Sequence, residues 1–514
     1  MAAEIAPENI EDTAKQAPST AGMTTRVVKG SIWTLAGQVL PLGISLFTTP
    51  FVIRLLGAEA YGVVVLVGLI PTYFGFADMG MGLASTKFAS EAYAEGDAEK
   101  EGRVVRTAAA VAFAASLPVA LALLIFSWQI TALFNVPEHL HGEASLALKI
   151  ASVTFVLGFL NNIFNSPQLA RLRMDLNILV STVPRMLGLL ATPVVIYFGG
   201  GVVGAVSVLC AIAVATLAGN LLVSQNQLGT LFETSFDRKL YRPMLKFGGP
   251  IMVSGIAAVM LANLEKGVLP YLTSVKELAY YSVAFTFSSM LSLFSASMSQ
   301  SLLPAFARLY RLDCLEELNA LLTRTYRLNL FLLPILVSGL YLIGPSFFQL
   351  WAGSEFRQNS VSPFNILLIG ITFHILTYLP YTLLMALGKT TALAKLYIIE
   401  LPFYCFAVYF LVSSYGASGA AIAWSLRIIV DNILLVLIVG SIENIGADFR
   451  KCVKPFALGL AFILVIILLP SDLTLFFSIA VVLIVGVYVA ILFRYLLEHE
   501  EKHWLSTLVR KKHR

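Results

Sequence analysis

The sequence predicts an all-α polytopic membrane protein of about 14 transmembrane helices: two parallel-repeat six-helix lobes plus two extra C-terminal helices. Three observations carry that expectation. Of 514 residues, 58% are hydrophobic and 13% charged, with a mean hydropathy of +0.82; a soluble domain carries roughly a quarter charged residues. Apolar runs of about 20 residues, each long enough to cross a hydrocarbon core of roughly 30 Å, recur along the chain. A short motif also recurs: GGVVGAV at Gly200–Val206 returns as YGASGAA at Tyr415–Ala421, and KFASEAYAEGD, starting at Lys87, has a counterpart in AFARLYRLDCL, starting at Ala305. The two offsets, 215 and 218 residues, agree within a small loop change and indicate a duplication. Backbone groups in lipid need internal partners, and no ten-residue alternation suggests a barrel, so the spans are read as helices.

In chain order, residues 1–25 are polar, contain Pro7 and Pro18 and lack an apolar h-region, so they read as a disordered cytosolic tail. The first lobe (26–223) holds spans near 30–53, 62–83, 106–130, 144–166, 177–198 and 202–223. A cytosolic linker (224–245) leads to the second lobe (246–440), with spans near 246–271, 279–303, 327–349, 361–386, 392–413 and 418–440. Two further spans, 454–470 and 473–496, lie within 454–497, joined by the short LLPSDL turn; a basic cytosolic tail (498–514) ends in LVRKKHR.

Orientation follows from basic residues in the loops. With both termini in the cytosol, cytosolic segments hold 28 of the 35 lysines and arginines, among them Lys100, Arg103, Arg106, Arg238, Lys239, Arg242, Arg308, Arg311, Arg450 and Lys451. The outer face holds Arg54, Lys149, Lys276 and Arg357; Arg185, Lys266 and Arg427 lie inside spans. The net charge of +5 is therefore topogenic: the basic loops suit anionic lipid headgroups, and nucleic acid is not an expected partner. Cys210, Cys314, Cys405 and Cys452 lack metal-ligand spacing and read as reduced thiols. No loop is long enough for a catalytic domain. The longest outer connections, FNVPEHLHGEAS and WAGSEFRQNS, present no acid/base constellation, so a membrane-embedded polymerase or glycosyltransferase is disfavoured.

An even-numbered repeat relates its copies by an axis along the membrane normal and makes a cleft between lobes the natural site. Depth then selects candidates. Arg185 in span 5 and Arg427 in span 12 lie near the midplane, Glu400 midway along span 11, Lys266 and Glu265 in the outer part of span 7, and Asp78 near the inner end of span 2. Each mid-bilayer charge costs about 2.5–3.5 kcal/mol on insertion scales, so each demands a partner or a function. For Arg427 the evident partner is Asp431, one turn on, although cation-before-anion is the weaker order. Glu400, Asp431 and His374 suit coupling through protonation, with an interhelical hydrogen bond the plainer role for His374. Asp78 precedes GMG, which favours capping or packing. Pro184, Pro193, Pro380 and Pro402 mark hinge candidates. Ser288, Ser292, Ser295 and Ser299 form a small-residue stripe read as close packing, with a sugar-facing wall as the alternative.

The run RLLGAEAYGVVVLVGLIPTYFGFADMGMG (Arg54–Gly82) resembles the start of the polysaccharide-transport and O-antigen flippase family. LANLEKGVLPYLTSVKELAYYSVAF (Leu261–Phe285) resembles the start of that family's second half, with Ala279 where glycine is usual. The resemblance covers residues 25 to 497, and the wider superfamily includes multidrug extruders and lipid II flippases. It implies a V-shaped pair of lobes in a bacterial cytoplasmic membrane, moving an undecaprenyl-diphosphate-linked oligosaccharide by alternating access. No cofactor is implied; H⁺ or Na⁺ is a possible coupling ion, and other polysaccharide-assembly proteins are possible partners. Under that reading Arg185, Arg427 and Lys266 would meet the diphosphate or glycan, while Asp431, Glu400, Glu265, His374 and Asp78 would serve coupling or charge pairing. The rival is a cation-coupled small-molecule extruder of the same superfamily.

Overall fold

The computed structural model describes residues 20–229, 238–442, 445, 450–468 and 475–491, all helix and short turns. The helices are α1 (Thr20–Leu69), α2 (Met81–Ala94), α3 (Ala98–Ile125), α4 (Ser127–Leu133), α5 (Glu138–Phe164), α6 (Ser166–Ala170), α7 (Met174–Val195), α8 (Gly201–Leu228), α9 (Arg238–Leu272), α10 (Val275–Ser289), α11 (Ser292–Arg311), α12 (Leu315–Trp351), α13 (Ser354–Ala386), α14 (Thr390–Gly440), α15 (Arg450–Leu468) and α16 (Leu475–Ile491). A 3-10 segment, Ile70–Asp78, joins α1 to α2, and a π-helical turn, Ile196–Gly200, joins α7 to α8. Seven apolar helical stretches among the described residues are long enough to cross a membrane, and an eighth if the bent pair in α9 is one span.

Three of these stretches are too long for one crossing. Fifty residues in α1 and 51 in α14 would each extend about 75 Å as straight rods. Each is interrupted by a glycine with non-helical backbone, Gly57 in α1 and Gly416 in α14, and α7–α8 breaks at Gly199–Gly201. All three breaks fall where the sequence places outer loops. The helix α1 begins at Thr20, so residues 20–25 are helical where disorder is expected; residues 1–19, the LLPSDL turn beyond Leu468 and the basic tail 498–514 lie outside the described residues.

The duplication is written into the backbone. Left-handed residues occur at Gly96 and Asp313, 217 apart; at Asn135 and Gly353, 218 apart; at Leu172 and Gly388, 216 apart; and at Gly201 and Gly416, 215 apart. These match the offsets read from the motifs. At the last pair the φ angles are identical (+54°), and in both copies a glutamate fills the mouth of the new helix: Glu143 Oε2 accepts from Val202 N at 3.3 Å, and Glu277 Oε2 accepts from Ala417 N at 2.8 Å. The carboxylates satisfy donors that the helix start orphans and offset its positive dipole end. A Cβ on Gly201 or Gly416 would come within 2.9 Å of those oxygens.

Helices before residue 229 and after 238 meet along α1, the 3-10 segment and α2 on one side and α9 and α10 on the other. At the end away from the basic loops, Trp351 Nε1 donates to Leu46 O (2.7 Å), Asn135 Nδ2 to Tyr271 O (2.8 Å), and Arg54 to Leu350 O. Beside them, Lys276 pairs with Glu355 (2.7 Å) and His139 stands 3.8 Å from Glu59. Midway, Tyr73 donates to Asn263 O at 2.6 Å. At the basic end Gly80 and Gly248 touch backbone to backbone, where a Cβ on Gly80 would lie 2.4 Å from Gly248 O; Phe88 meets Phe247 edge-on at 6.3 Å, with Lys87 over the latter ring.

Candidate functional site: a charged cluster in the second half

The cluster is built on the folded-back α14. Arg427 and Glu400 are 27 residues apart on one element, a separation of about 40 Å in a straight helix. Their charged groups nevertheless lie 3.8 Å apart, because Gly416 turns the second arm against the first. The ion-pair partner of Arg427 is therefore Glu400 across the hairpin, not Asp431 along the helix as the sequence suggests. Asp431 faces the same pair, interacting electrostatically with both. Glu400 and Asp431 are 5% and 3% exposed, and the Arg427 side chain 12%.

The group is tightly coupled. Glu400 and Asp431 interact with each other as well as with Arg427. Nε of Arg427 and Nδ1 of the neighbouring His374 are buried without a hydrogen-bond partner among the described residues. Three ionisable groups in one low-dielectric place are costly, which makes this group the candidate site.

A second layer surrounds it. The Arg427 guanidinium lies 5.4 Å from the centre of the Tyr404 ring, and Tyr404 donates to Glu265 Oε2 at 2.7 Å. Tyr281 donates to Glu265 Oε1 at 3.1 Å; Glu265 is fully buried. The adjacent Lys266 does not pair with Glu265: it donates to Asn263 Oδ1 (3.2 Å) and sits 4.2 Å above the Phe285 ring. Phe285 meets Trp424 edge-on at 5.2 Å, and Trp424 in turn meets His374, which also contacts Tyr378. His374 thus stands in an aromatic wall, with no hydrogen bond to another helix among the described residues. Arg427, Lys266, Glu265, Glu400, Asp431 and His374 are linked through these contacts into one largely buried cluster on α9, α13 and α14, with Tyr281 and Phe285 of α10. Trp424, Tyr404, Tyr281 and Phe285 were not singled out from sequence, since nothing in an apolar run separates a pocket aromatic from a core one.

The remaining candidates lie elsewhere. Arg185 is exposed on α7, and no hydrogen bond or ion pair holds it among the described residues. Asp78 caps α2: its Oδ1 accepts from Gly80 N (2.8 Å) and Oδ2 from Gly82 N (3.2 Å). The serines of α10–α11 are buried, Ser295 donating to Asn329 Oδ1 (3.2 Å) and Ser299 to Tyr378 O (3.4 Å), which is close packing. A cavity of about 100 Å³ between the halves is lined by Leu42, Ser45, Thr49, Tyr61, Thr286 and Phe347 among others, and neither Arg185 nor Arg427 lines it. A buried ion pair absent from the sequence reading joins Arg171 to Glu101, with Arg171 also over the Tyr93 ring at 4.6 Å. Its residues sit in basic loops, where each looks topogenic on its own.

Comparison with known proteins agrees with this architecture. The family model described as polysaccharide biosynthesis protein matches residues 27–310. A Shigella flexneri protein named "Putative O-antigen transporter" is 26% identical over 414 residues, covering 80% of this chain and 96% of its own. The "Uncharacterized membrane protein EpsK" of Bacillus subtilis is 22% identical over 361 residues, 67% of this chain and 69% of its own. Among solved structures, the lipid II flippase MurJ in an inward closed conformation superposes with a TM-score of 0.66 at 18% identity, over 92% of this chain and all of that one. An inward-facing multidrug MATE transporter gives 0.65 at 14% identity over 85% and 95%. Those two likenesses concern the fold.

Proposed function

The chain belongs to the polysaccharide biosynthesis protein family, and on that premise we propose that it is a flippase for a polyprenyl-diphosphate-linked oligosaccharide in a bacterial cytoplasmic membrane. The observation that carries the proposal is the charged cluster around Arg427: a nearly buried guanidinium with one carboxylate partner at a loose 3.8 Å and a second carboxyl group, Asp431, beside it. A pair at that distance is weak in hydrogen-bonding terms, so an incoming phosphate can displace Glu400 and take the guanidinium bidentately, at the shorter distances such pairs prefer. Lys266, held over Phe285, supplies a second positive charge to the same head group. Glu400 and Asp431, relieved of Arg427, then face the anionic head, and their return to Arg427 pushes it back out. Arg185 supplies a cation from the first half as the halves rock about their seam.

Depletion of the protein, followed by mass spectrometry of the membrane lipids, tests this. A lipid-linked oligosaccharide should accumulate, accessible only from the cytosolic leaflet. Unchanged lipid-linked glycans, with increased sensitivity to cationic drugs instead, would favour the extruder reading.

A further inference from the structure

We propose that Glu265 is a positioning residue for Arg427, acting through Tyr404. The inference rests on the reading of Arg427 as the cation that grips an anionic head group. Glu265 is fully buried and no cation pairs with it among the described residues. Its two oxygens are taken separately by two tyrosine hydroxyls, Tyr281 at 3.1 Å from α10 and Tyr404 at 2.7 Å from the first arm of α14. A desolvated carboxylate without a cation is expensive, and two hydroxyl donors repay only part of that. Such a group persists where it does something a neutral residue would not. Here it fixes the ring that faces the guanidinium: Tyr404 is 2% exposed, held at its hydroxyl by Glu265, with Arg427 5.4 Å from its centre. Donating to a carboxylate also makes the ring electron-rich, which strengthens its hold on a cation above its face.

The location gives the link a second consequence. Glu265 lies on the same turn of α9 as Asn263, whose carbonyl accepts from Tyr73 of the first half at 2.6 Å, and as Gly267, where a Cβ would meet the Tyr73 hydroxyl at 2.3 Å. One helical turn therefore carries both the seat of Arg427 and a contact between the halves. Movement of the guanidinium onto a ligand pulls on Tyr404, hence on Glu265, hence on the turn that Tyr73 touches.

The test uses full-length protein in nanodiscs and two readouts. The first needs no ligand: the rate at which phenylglyoxal modifies Arg427, mapped by peptide mass spectrometry, with exposed Arg185 as internal reference. Tyr404→Phe and Glu265→Gln should each raise the Arg427 rate several-fold and leave Arg185 unchanged, because both release the same seat. An unchanged Arg427 rate in either folded variant overturns the assignment. The second readout is affinity for undecaprenyl diphosphate. Glu265→Gln should weaken it about tenfold in the wild-type background and not at all in an Arg427→Ala background, since a residue acting through Arg427 has nothing left to act on. Equal weakening in both backgrounds overturns the proposal and assigns Glu265 a general structural role. If Arg427→Ala binds the probe like wild type, the head-group reading of the cluster fails, while the labelling rates still decide whether Glu265 positions the arginine. Tyr404→Phe serves in place of Glu265→Gln should the latter fail to fold.

Discussion

Arg185 and Glu400 lie on matching spans of the repeat, α7 and the first arm of α14, and they carry opposite charges. In the second half that span holds Glu400, buried and paired with Arg427; in the first it holds Arg185, exposed and unpaired among the described residues. The partners have changed with it. Where the second half has Arg427 and Asp431, the first has Ile212 and Thr216, and Ile212 packs onto Gly188 of α7. The first half joins its helices here with neutral groups: Gln168 donates to Asn220 (2.9 Å), and Ser224 to Phe164 O (2.5 Å). The exchange also runs the other way. Glu101 and Arg171, ion-paired in the first half, correspond to Leu318 and Leu387 in the second. The same turns and helix directions thus tolerate ionic or neutral filling at either place. A fold kept by its turns leaves charge free to migrate to where a function requires it.

The largest effect expected from breaking this asymmetry is at Arg427. Arg427→Ala should abolish flipping in reconstituted vesicles, a loss of about 100-fold or more, while membrane insertion persists. Arg427→Lys should retain part of the activity, since an ammonium keeps the charge without the two-pronged geometry. A triple variant with Leu at 400, 427 and 431 removes the whole charged group: it should unfold no earlier than wild type, because no buried charge is stranded, yet move no substrate. Wild-type transport in that variant would reduce the pair to a structural bridge.

Next in size is the reciprocal experiment. Glu101→Gln strands Arg171 and should cost about 3 kcal/mol, read as a large drop in thermal unfolding temperature. Placing Leu at both 101 and 171, as the second half has at its matching sites, should restore most of that stability with transport intact. Failure of the double variant to recover would show that the first half needs its ion pair.

A smaller change is expected at Arg185. With no partner to strand, Arg185→Ala should leave the unfolding temperature unchanged and lower the flipping rate about tenfold, the cost of one lost charge contact. An unchanged flipping rate would mean that Arg185 takes no part in transport.

The smallest effect compares the two carboxylate caps. Glu277→Gln should destabilise by about 1 kcal/mol, in the range of other helix caps, and Glu143→Gln by less, since the former contact is 2.8 Å and the latter 3.3 Å. Equal losses in thermal unfolding would mean that the two mouths are held alike despite the difference in distance.

By itself, the sequence determined class, repeat and helix breaks. Apolar runs, their lengths and the recurrence of GGVVGAV as YGASGAA are local properties, and the requirement that backbone be satisfied in lipid converts them into helices without knowledge of any contact. It also named Arg427, Lys266, Glu265, Glu400, Asp431 and His374, since any ionisable group in an apolar span stands out. Which of these belong together was decided only by the tertiary structure. Arg427 has Asp431 four residues away along its own helix, but the hairpin at Gly416 brings Glu400 to it from 27 residues away, and contacts across a turn leave no spacing signature. Glu265 and Lys266 are neighbours in sequence whose side chains leave the helix about 100° apart, so they serve two different rings, Tyr404 and Phe285. Helix periodicity settles which residues share a face; only packing settles what that face meets.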